Sequence, residues 1–399
     1  MDFSIYWRLA GFYFTYFAFV AAYSSYWGLY LQSLGFAAAQ IGTLMAVQQV
    51  MRIFAPTFWG AASDRLGRPD WVIRFTTFAA VLVFCAVFLS SSFVWLFVVM
   101  SVVGFFWSGP LPLVEASTLQ RLGGATAQYS RIRLWGSIGF VLIVSGVGAL
   151  LDFIAISRLP LILLLLMLAM LAFAWLVPRG GASIHGDDQG SIMSILREPK
   201  VAAFFVACFL MTFAHGPLYV FFSIYLVAEG YSKTSVGMLW SIGVLVEIAI
   251  FFYFPRIQQR FSVARIFLFC FVIAALRFLF IAWGAKWFPL LFFAQMSHAF
   301  TFGAFHVIAM GFVHRRFSGR HQAKGQALFT GLTYGAGGML GGFLSGFVWE
   351  PLGPGITFSL ASLSACLGLM VLIKNRPFDE NLQSLDLDIG SRGVSSQRI

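Results

Sequence analysis

The amino-acid sequence predicts an all-α membrane protein in which twelve transmembrane helices form two similar bundles of six. Of the 399 residues, 60% are hydrophobic and 10% are charged, and the mean hydropathy is +0.85. A soluble protein of this size needs roughly a quarter of its residues charged to cover its surface. The surface of this chain must therefore face lipid, and its length divides into membrane spans rather than globular domains.

The apolar residues fall into segments long enough to cross the bilayer, which takes about 18–25 residues per helix. We number twelve predicted spans in chain order, at residues 10–31, 41–62, 71–90, 94–117, 132–152, 159–177, 201–227, 236–255, 266–284, 288–312, 326–349 and 355–374. The first apolar run is too long for a signal peptide and lacks a small-residue cleavage site, so we expect it to be retained.

The longest polar interruption runs from Pro178 to Lys200 and separates six spans from six. It predicts an N-terminal six-helix bundle at residues 1–177, a cytoplasmic interdomain loop at 178–200, a C-terminal six-helix bundle at 201–377 and a disordered cytoplasmic tail at 378–399. A shift of the first half by 195 positions places Tyr30 on Tyr225, Gly35 on Gly230, Gly42 on Gly237 and Arg65 on Arg260. Six spans separate equivalent positions, so both halves run in the same direction, as in a parallel repeat.

Spans 5 and 11 are rich in glycine, which lets membrane helices approach one another closely. The glycines are Gly136, Gly139, Gly146 and Gly148 in span 5, and Gly335, Gly337, Gly338, Gly341, Gly342 and Gly346 in span 11. Static packing and a rocking movement of one bundle against the other are both compatible with this pattern.

The positive charges are distributed unequally between the two sides of the predicted spans. If the N-terminus is cytoplasmic, 21 of the 26 Lys and Arg residues lie on the cytoplasmic side, or 19 if Arg131 and Arg133 at the start of span 5 are counted inside the membrane. Arg158, Lys233 and Lys286 lie on the other side. The positive-inside rule therefore predicts cytoplasmic termini in a plasma membrane or bacterial inner membrane. This asymmetry explains the net charge of +11, so we expect a lipid bilayer and no nucleic acid as partner. We also expect a monomer.

No catalytic or metal-binding pattern is evident in the sequence. The cysteines Cys85, Cys208, Cys270 and Cys366 lie in separate predicted spans without metal-ligand spacing, so we expect neither a metal site nor a disulfide framework. The nucleotide-binding pattern G-x-x-x-x-G-K-[ST] and the zinc-protease pattern H-E-x-x-H are absent. We therefore expect no enzymatic activity and no cofactor. ATP-driven transport is thus not supported by the sequence, and any movement of a solute across the membrane would have to use an ion gradient, which we expect to be one of protons.

The loop between spans 2 and 3 contains the sequence G-A-A-S-D-R-L-G-R, from Gly60 to Arg68. Gly60 would permit close helix contact, Gly67 would permit a turn, and Asp64 can interact with the positive N-terminal end of a neighbouring helix. The segment resembles the G-x-x-x-D-R-x-G-R signature of the major facilitator superfamily. That resemblance implies the twelve-helix major facilitator fold and a cytoplasmic gate formed by Gly60, Asp64, Arg65, Gly67 and Arg68. Pro69 stands where that family usually has a second basic residue.

Ionisable side chains inside membrane spans are costly, and they suggest a binding site or an ion pathway. The predicted spans contain Arg52, Glu115, Arg133, His215, Glu247, Arg277, His298 and His306. Arg52 and Glu247 occupy equivalent positions under the 195-residue shift, so we predict that they pair across the interface between the halves. His298 and His306 should share one helix face with Phe302 between them. A structural ion pair of Glu115 with Arg133 and simple packing of the histidines are the alternatives.

The segments around Glu115 and Arg133 are similar to spans 4 and 5 of the lactose permease group. The run R-L-W-G-S beginning at Arg133, together with motifs over most of the chain, resembles the phenylpropionate permease and nucleoside–proton symporter branch. The resemblance implies that Glu115 and Arg133 hold the substrate, and that Arg277 and His298 match a buried arginine and histidine. The chain departs from the permease at Thr301, where a carboxylate is usual, and at Phe140, which replaces the aromatic residue that stacks on sugar.

Aromatic residues line one face of span 1, at Tyr16, Phe19, Tyr23, Tyr26 and Tyr30, and a face of span 7, at His215, Tyr219 and Phe222. Their hydroxyl groups favour a wet aromatic cavity in which Tyr23, Tyr26 and Tyr219 contact the substrate. We expect Phe140 and His298 to contact the substrate as well. Packing of aromatic rings in a dry core is the alternative.

We therefore expect a secondary transporter that takes up a small organic solute with protons by alternating access. Because Thr301 replaces the usual acid, Glu247 is expected to carry the proton, assisted by Arg277, His298 and His306. Arg52, Glu115, Arg133 and the tyrosines suit an aromatic carboxylate, as the phenylpropionate-like resemblance also implies. A sugar or nucleoside symporter is one alternative, and a drug-efflux antiporter of the same fold is another. Antiporters of the family carry a Gly-Pro element in span 5, and no proline occurs between Ser137 and Ile156. A receptor or channel would not need buried charges in both halves.

Overall fold

The computed structural model describes residues 3–123, 126–179, 192–317 and 321–378. Most of the predicted interdomain loop and almost all of the predicted tail lie outside these residues, so their predicted disorder stays a prediction. Within the described part the chain forms twelve long helices, in agreement with the sequence. Their bounds are α1 Phe3–Ser33, α2 Ala38–Leu66, α3 Pro69–Phe84, α4 Phe93–Arg121, α5 Thr126–Phe153, α6 Leu159–Leu176, α7 Pro199–Ala228, α8 Lys233–Arg260, α9 Val263–Gly284, α10 Phe288–Arg316, α11 322–352 and α12 354–375.

Length and composition identify α3 to α10, and the continuous α11–α12 stretch, as candidate membrane spans. Gly353, at φ +77° and ψ 172°, separates α11 from α12. That backbone conformation is open to glycine and strained for other residues. The helix α4 is interrupted at 108–109, just before Pro110, which cannot donate a backbone hydrogen bond.

The parallel repeat is visible in equivalent turns of the two halves. Gly35 follows α1 at φ +83°, and Gly230, which is its equivalent under the 195-residue shift, follows α7 at φ +90°. Glycines of the two glycine-rich spans also pack against corresponding helices, α1 and α7. A Cβ at Gly139 of α5 would collide with the backbone of α1 at Phe14, and one at Gly341 of α11 would collide with the backbone of α7 at Phe213. The glycine-rich spans thus pack tightly within each bundle.

An even number of spans puts both termini at one end of the molecule, which we call the termini end; the opposite end is the far end. Two carboxylates join the bundles at the far end. Asp152 of α5 accepts hydrogen bonds from the N–H groups of Lys233 (2.8 Å) and Thr234 (3.0 Å) and from the Thr234 hydroxyl (2.6 Å), at the start of α8. Glu350 of α11 accepts one from the N–H of Ala38 (2.7 Å), at the start of α2.

We call these two contacts the far-end clasps. The first N–H groups of a helix have no partner within the helix and carry partial positive charge, so a carboxylate is well placed there. The pairs α5–α8 and α11–α2 are equivalent under the repeat, so the clasps are equivalent too. Further along α5 and α8 from the Asp152 clasp, the hydroxyls of Ser145 and Ser241 lie 2.7 Å apart, and the Tyr26 hydroxyl of α1 donates to the carbonyl of Val144 on α5 (2.7 Å). Together these contacts close the far end.

Candidate functional site

The motif between α2 and α3 forms the turn that the sequence predicts. Gly67 ends α2 in the left-handed region, at φ +61°, where glycine is favoured. The close helix contact predicted at Gly60 is absent in this conformation, because an added Cβ would meet no atom within 4 Å. Asp70, which the sequence analysis did not single out, is buried and forms ion pairs with Arg68 (3.3 Å) and Arg74 (3.8 Å). These ion pairs anchor the turn at the termini end.

Glu115 of α4 and Arg133 of α5 form an ion pair in the N-terminal bundle. The Arg133 Nε lies 3.6 Å from the Glu115 Oε1, and each side chain is 33% exposed. The Arg133 guanidinium lies over the ring of Phe17 on α1, 4.0 Å from its centroid. A Cβ at Gly136 would come within 2.6 Å of Phe17 and 3.0 Å of Arg133, so the glycine leaves room for this arrangement. The pair keeps part of its surface open, with both donors and acceptors available to a ligand.

Arg277 of α9 is the buried cation of the C-terminal bundle, with 1% of its surface exposed. Its Nη1, which carries two hydrogens, donates to Thr301 Oγ1 (2.8 Å) and lies within hydrogen-bond distance of His298 Nδ1 (3.0 Å) and His215 Nε2 (3.3 Å), and its Nη2 donates to Gln295 Oε1 (3.2 Å). These partners come from α7 and α10, so the guanidinium ties three helices together. A buried cation among neutral acceptors is costly unless a negative charge lies nearby.

Glu247 of α8 supplies that negative charge through His298. Arginine has only donors, so the His298 Nδ1 that faces Arg277 must accept and cannot hold a proton. The neutral ring then carries its proton on Nε2, which lies 3.7 Å from the Glu247 Oε2. Arg277, His298 and Glu247 therefore form a row that leads from a buried cation to a carboxylate that is 20% exposed. Glu247 lies on α8, which packs against α5, the helix of the other bundle that carries Arg133.

Both α10 and α11 contain a π-helical turn next to these groups, at Ala299–Ala304 and Gly331–Gly337. Such turns are rare and occur frequently at functional sites. The rings of His298, Phe302 and His306 form one stack along α10, with centroid separations of 5.2 and 6.2 Å, which confirms their predicted common face. The His306 Nδ1 lies 2.8 Å from the hydroxyl of Tyr334, in the π-helical turn of α11. The stack thus connects the Glu247 region to α11.

The predicted ion pair of Arg52 with Glu247 is wrong in this conformation. The Arg52 Nη1 donates to the Oε1 of Gln49 on the same helix, at 3.2 Å, and Glu247 pairs with His298. The repeat places Arg52 and Glu247 at equivalent positions of α2 and α8. Those helices pack mainly against α11 and α5 respectively.

The wet cavity predicted along α1 is also wrong in this conformation. Tyr23 is 5% exposed and Tyr26 is 0% exposed. Tyr16 stacks on Trp107 of α4 at a centroid distance of 4.6 Å, and the Tyr26 hydroxyl is engaged in closing the far end. Aromatic packing, the alternative reading of this stripe, describes α1 better.

Two other predicted contact residues remain partly open. Phe140 of α5 and Tyr219 of α7 are half-buried, and Tyr219 stacks on Trp240 of α8 at 6.0 Å with an interplanar angle of 16°. Sequence reasoning missed Trp240, Gln295 and Tyr334. These residues are uncharged, so they do not stand out in apolar spans as the arginines and carboxylates do.

Comparisons with known proteins agree with this architecture. The sequence profile of the MFS_1 like family matches residues 6–360. The chain is 28% identical over 364 residues to a probable 3-phenylpropionic acid transporter of Escherichia coli (strain K12), covering 88% of this chain and 92% of that protein. It is 26% identical over 343 residues to the maltose permease of Geobacillus stearothermophilus, covering 84% and 85%. The crystal structure of nucleoside transporter NupG superposes with a TM-score of 0.83 at 19% identity, over 95% of this chain and 100% of that one.

Proposed function

The chain belongs to the MFS_1 like family and is a membrane transporter of major facilitator fold, and we propose that it takes up a small organic solute together with protons. Uptake would proceed by alternating access, in which the far-end clasps release as the termini end closes. With the termini in the cytoplasm, as the positive charges predict, the far end faces outside. The gate residues Gly60, Asp64, Arg65, Gly67 and Arg68 would then act on the cytoplasmic side.

The row formed by Glu247, His298 and Arg277 is the single observation that supports proton coupling most strongly. A coupling group must exchange protons with one side at a time, and Glu247 is both partly exposed and linked to a buried cation. When Glu247 is charged, its attraction to His298 and Arg277 orders the α8–α10 interface. When it is protonated, that attraction is lost, and α8 is freer to move. His306 extends the same row towards α11.

The substrate that we favour is an aromatic carboxylate. Arg52 and Arg133 supply positive charge in the spans, and Phe140 and Tyr219 supply partly open aromatic surface. One relative is described as a probable 3-phenylpropionic acid transporter, which is consistent with this choice. A sugar or nucleoside is the alternative, since the half-open Glu115–Arg133 pair can hydrogen-bond hydroxyl groups and other relatives are described as a maltose permease and a nucleoside permease.

The test of proton coupling is the variant Glu247→Gln in proteoliposomes, which mimics the protonated side chain without its charge. It should exchange labelled substrate across the membrane at a rate near that of the parent, yet fail to accumulate substrate against its gradient when a pH gradient is imposed. Glu229→Gln, which changes a carboxylate in the α7–α8 loop, is the matched control and should accumulate normally. If Glu247→Gln concentrates substrate as well as the parent, Glu247 is not the coupling group, and His298 becomes the next candidate. Export in place of uptake would favour the antiporter alternative.

A further inference from the structure

Arg52, near the middle of α2, lies on a helix face that is turned towards the protein interior. Residues four and seven positions before it, and three and seven after it, share that face. They are Gln48, Met45, Ala55 and Trp59, and each is 9% exposed or less. Arg52 itself is exposed. An exposed side chain among buried neighbours indicates an open space inside the bundle.

That space lies between the two bundles. The neighbouring Ile53 packs against the π-helical turn of α11 in the other bundle, where a Cβ at Gly335 would come within 2.6 Å of the Ile53 side chain, and α2 also contacts α7. That turn also contains Tyr334, whose hydroxyl lies 2.8 Å from the His306 Nδ1, at the end of the histidine stack. Arg52 therefore points towards the same central region as the charged row of the C-terminal bundle.

The group that Arg52 contacts differs in kind from the partners of the other two arginines inside the spans. Arg133 has a carboxylate beside it, and Arg277 is connected to one through a histidine. Among the described residues, the group that Arg52 contacts is the neutral amide of Gln49. With neutral histidines, three arginines and two carboxylates leave the interior of the empty carrier with one net positive charge. A charge without a partner inside the membrane is costly and marks a place for an anion.

We propose that Arg52 binds the carboxylate of the substrate, and that one proton and one monoanion cross together without net movement of charge. This inference rests on the proposed function, because it needs Glu247 to carry the proton. The proton adds one positive charge to the interior and the monoanion at Arg52 removes one. The loaded and the empty carrier thus cross the membrane with the same interior charge. The planar guanidinium suits a carboxylate, which it can hold by two parallel hydrogen bonds.

A neutral sugar or nucleoside would behave differently. It would leave Arg52 without an anion, and protonation of Glu247 would raise the interior to two net positive charges. Every transport cycle would then move one positive charge across the membrane, so the membrane potential would drive uptake. The dependence of transport on potential therefore separates the two substrate classes.

Binding to purified protein tests the role of Arg52, with 3-phenylpropionate and its neutral amide as probes in isothermal titration calorimetry. The parent should bind the acid about tenfold or more tightly than the amide, as expected for a charge-assisted hydrogen bond. Arg52→Gln should lower affinity for the acid to that for the amide, and Arg52→Lys should keep part of the preference. Arg256→Gln, which changes an exposed arginine near the end of α8, is the matched control and should bind like the parent. Thermal unfolding of each variant establishes that it is folded.

Uptake into proteoliposomes tests the balance of charge. A pH gradient without a membrane potential should drive accumulation of 3-phenylpropionate, and a potassium–valinomycin potential without a pH gradient should not. The inference is overturned if the potential alone drives accumulation, or if Arg52→Gln binds the acid as tightly as the parent. Failure of the parent to bind any of a panel of aromatic and aliphatic monocarboxylates would overturn it as well. If neither gradient drives uptake, proton coupling itself fails, and the acid-over-amide preference still decides the role of Arg52.

Discussion

Replacement of Asp152 by Asn is expected to favour opening of the far end. The carboxylate accepts three hydrogen bonds of 2.6 to 3.0 Å from the start of α8, two from N–H groups and one from the Thr234 hydroxyl. Asn has nearly the same shape, but only one of its two terminal atoms can accept. Its amide nitrogen would face a backbone donor, and the negative charge at the N-terminal end of α8 would be lost.

The magnitude follows from the number and kind of these bonds. A hydrogen bond to a charged group contributes about 1.5–3 kcal/mol, and a charge at a helix end contributes about 0.3–1 kcal/mol. The Asp152 side chain is 23% exposed, so we take a low total of about 2 kcal/mol to allow for solvent screening. The ratio of far-closed to far-open molecules should then fall about 30-fold. Glu350→Gln removes a charged acceptor with one bond, and a fall of about fivefold is expected from about 1 kcal/mol.

Distances between spin labels measure this ratio. Ser91 and Lys286 are exposed residues at the far ends of the N- and C-terminal bundles, and cysteines placed there in a background without native cysteines can be labelled for double electron–electron resonance. The population at long distance should increase in Asp152→Asn and further in the double variant with Glu350→Gln, since separate sites contribute additively. Glu229→Gln should leave the distribution unchanged. A folded double variant with the parent's distance distribution would refute the role of the clasps.

Two further predictions concern the binding site and the orientation. Glu115→Gln and Arg133→Gln should each abolish substrate binding while the protein stays folded, as followed by calorimetric titration and thermal unfolding; normal binding by either variant would make the pair structural. A cysteine at Ser91 should react with a membrane-impermeant maleimide only from outside, and cysteines at Ser183 and Ser318, which lie outside the described residues, only from the cytoplasm. The reverse pattern would invert the proposed topology.

The twelve-helix fold could be predicted because the physical constraint acts on each segment separately. Every span must satisfy its own backbone hydrogen bonds in lipid, so an apolar run of sufficient length is a helix whatever its neighbours are. The repeat was visible in Gly35 and Gly230, because their left-handed conformation restricts the residue type. Gly353, which separates α11 from α12, likewise has a backbone conformation that restricts the residue type to glycine.

The charged residues of the site could be predicted from the sequence, but the pairs that they form could be predicted only in part. Glu115, Arg133, Glu247 and Arg277 stand out because charged residues are rare in lipid. Which of them meet depends on which helices pack together, and a linear repeat does not contain that information. The error for Arg52 arose in this way. Uncharged partners such as Gln295 are harder to recognise in the sequence than charged residues, which are rare in membrane spans.

The far-end clasps depend mainly on backbone N–H groups at the starts of α8 and α2. Apart from the Thr234 hydroxyl, the donors to Asp152 and Glu350 are N–H groups, which almost every amino acid supplies, so these hydrogen bonds do not require a particular side chain at Lys233 or Ala38. The chain illustrates this freedom, since one clasp uses Lys233 and the equivalent position in the other is Ala38. The hydrogen bonds themselves therefore exclude only proline, which lacks the N–H, while the burial of Ala38, at 4% exposed, restricts the size of the side chain at that position. Substitutions at Lys233 and Ala38 that keep the N–H group and fit the available space should therefore leave the closed state intact, provided that Asp152 and Glu350 remain.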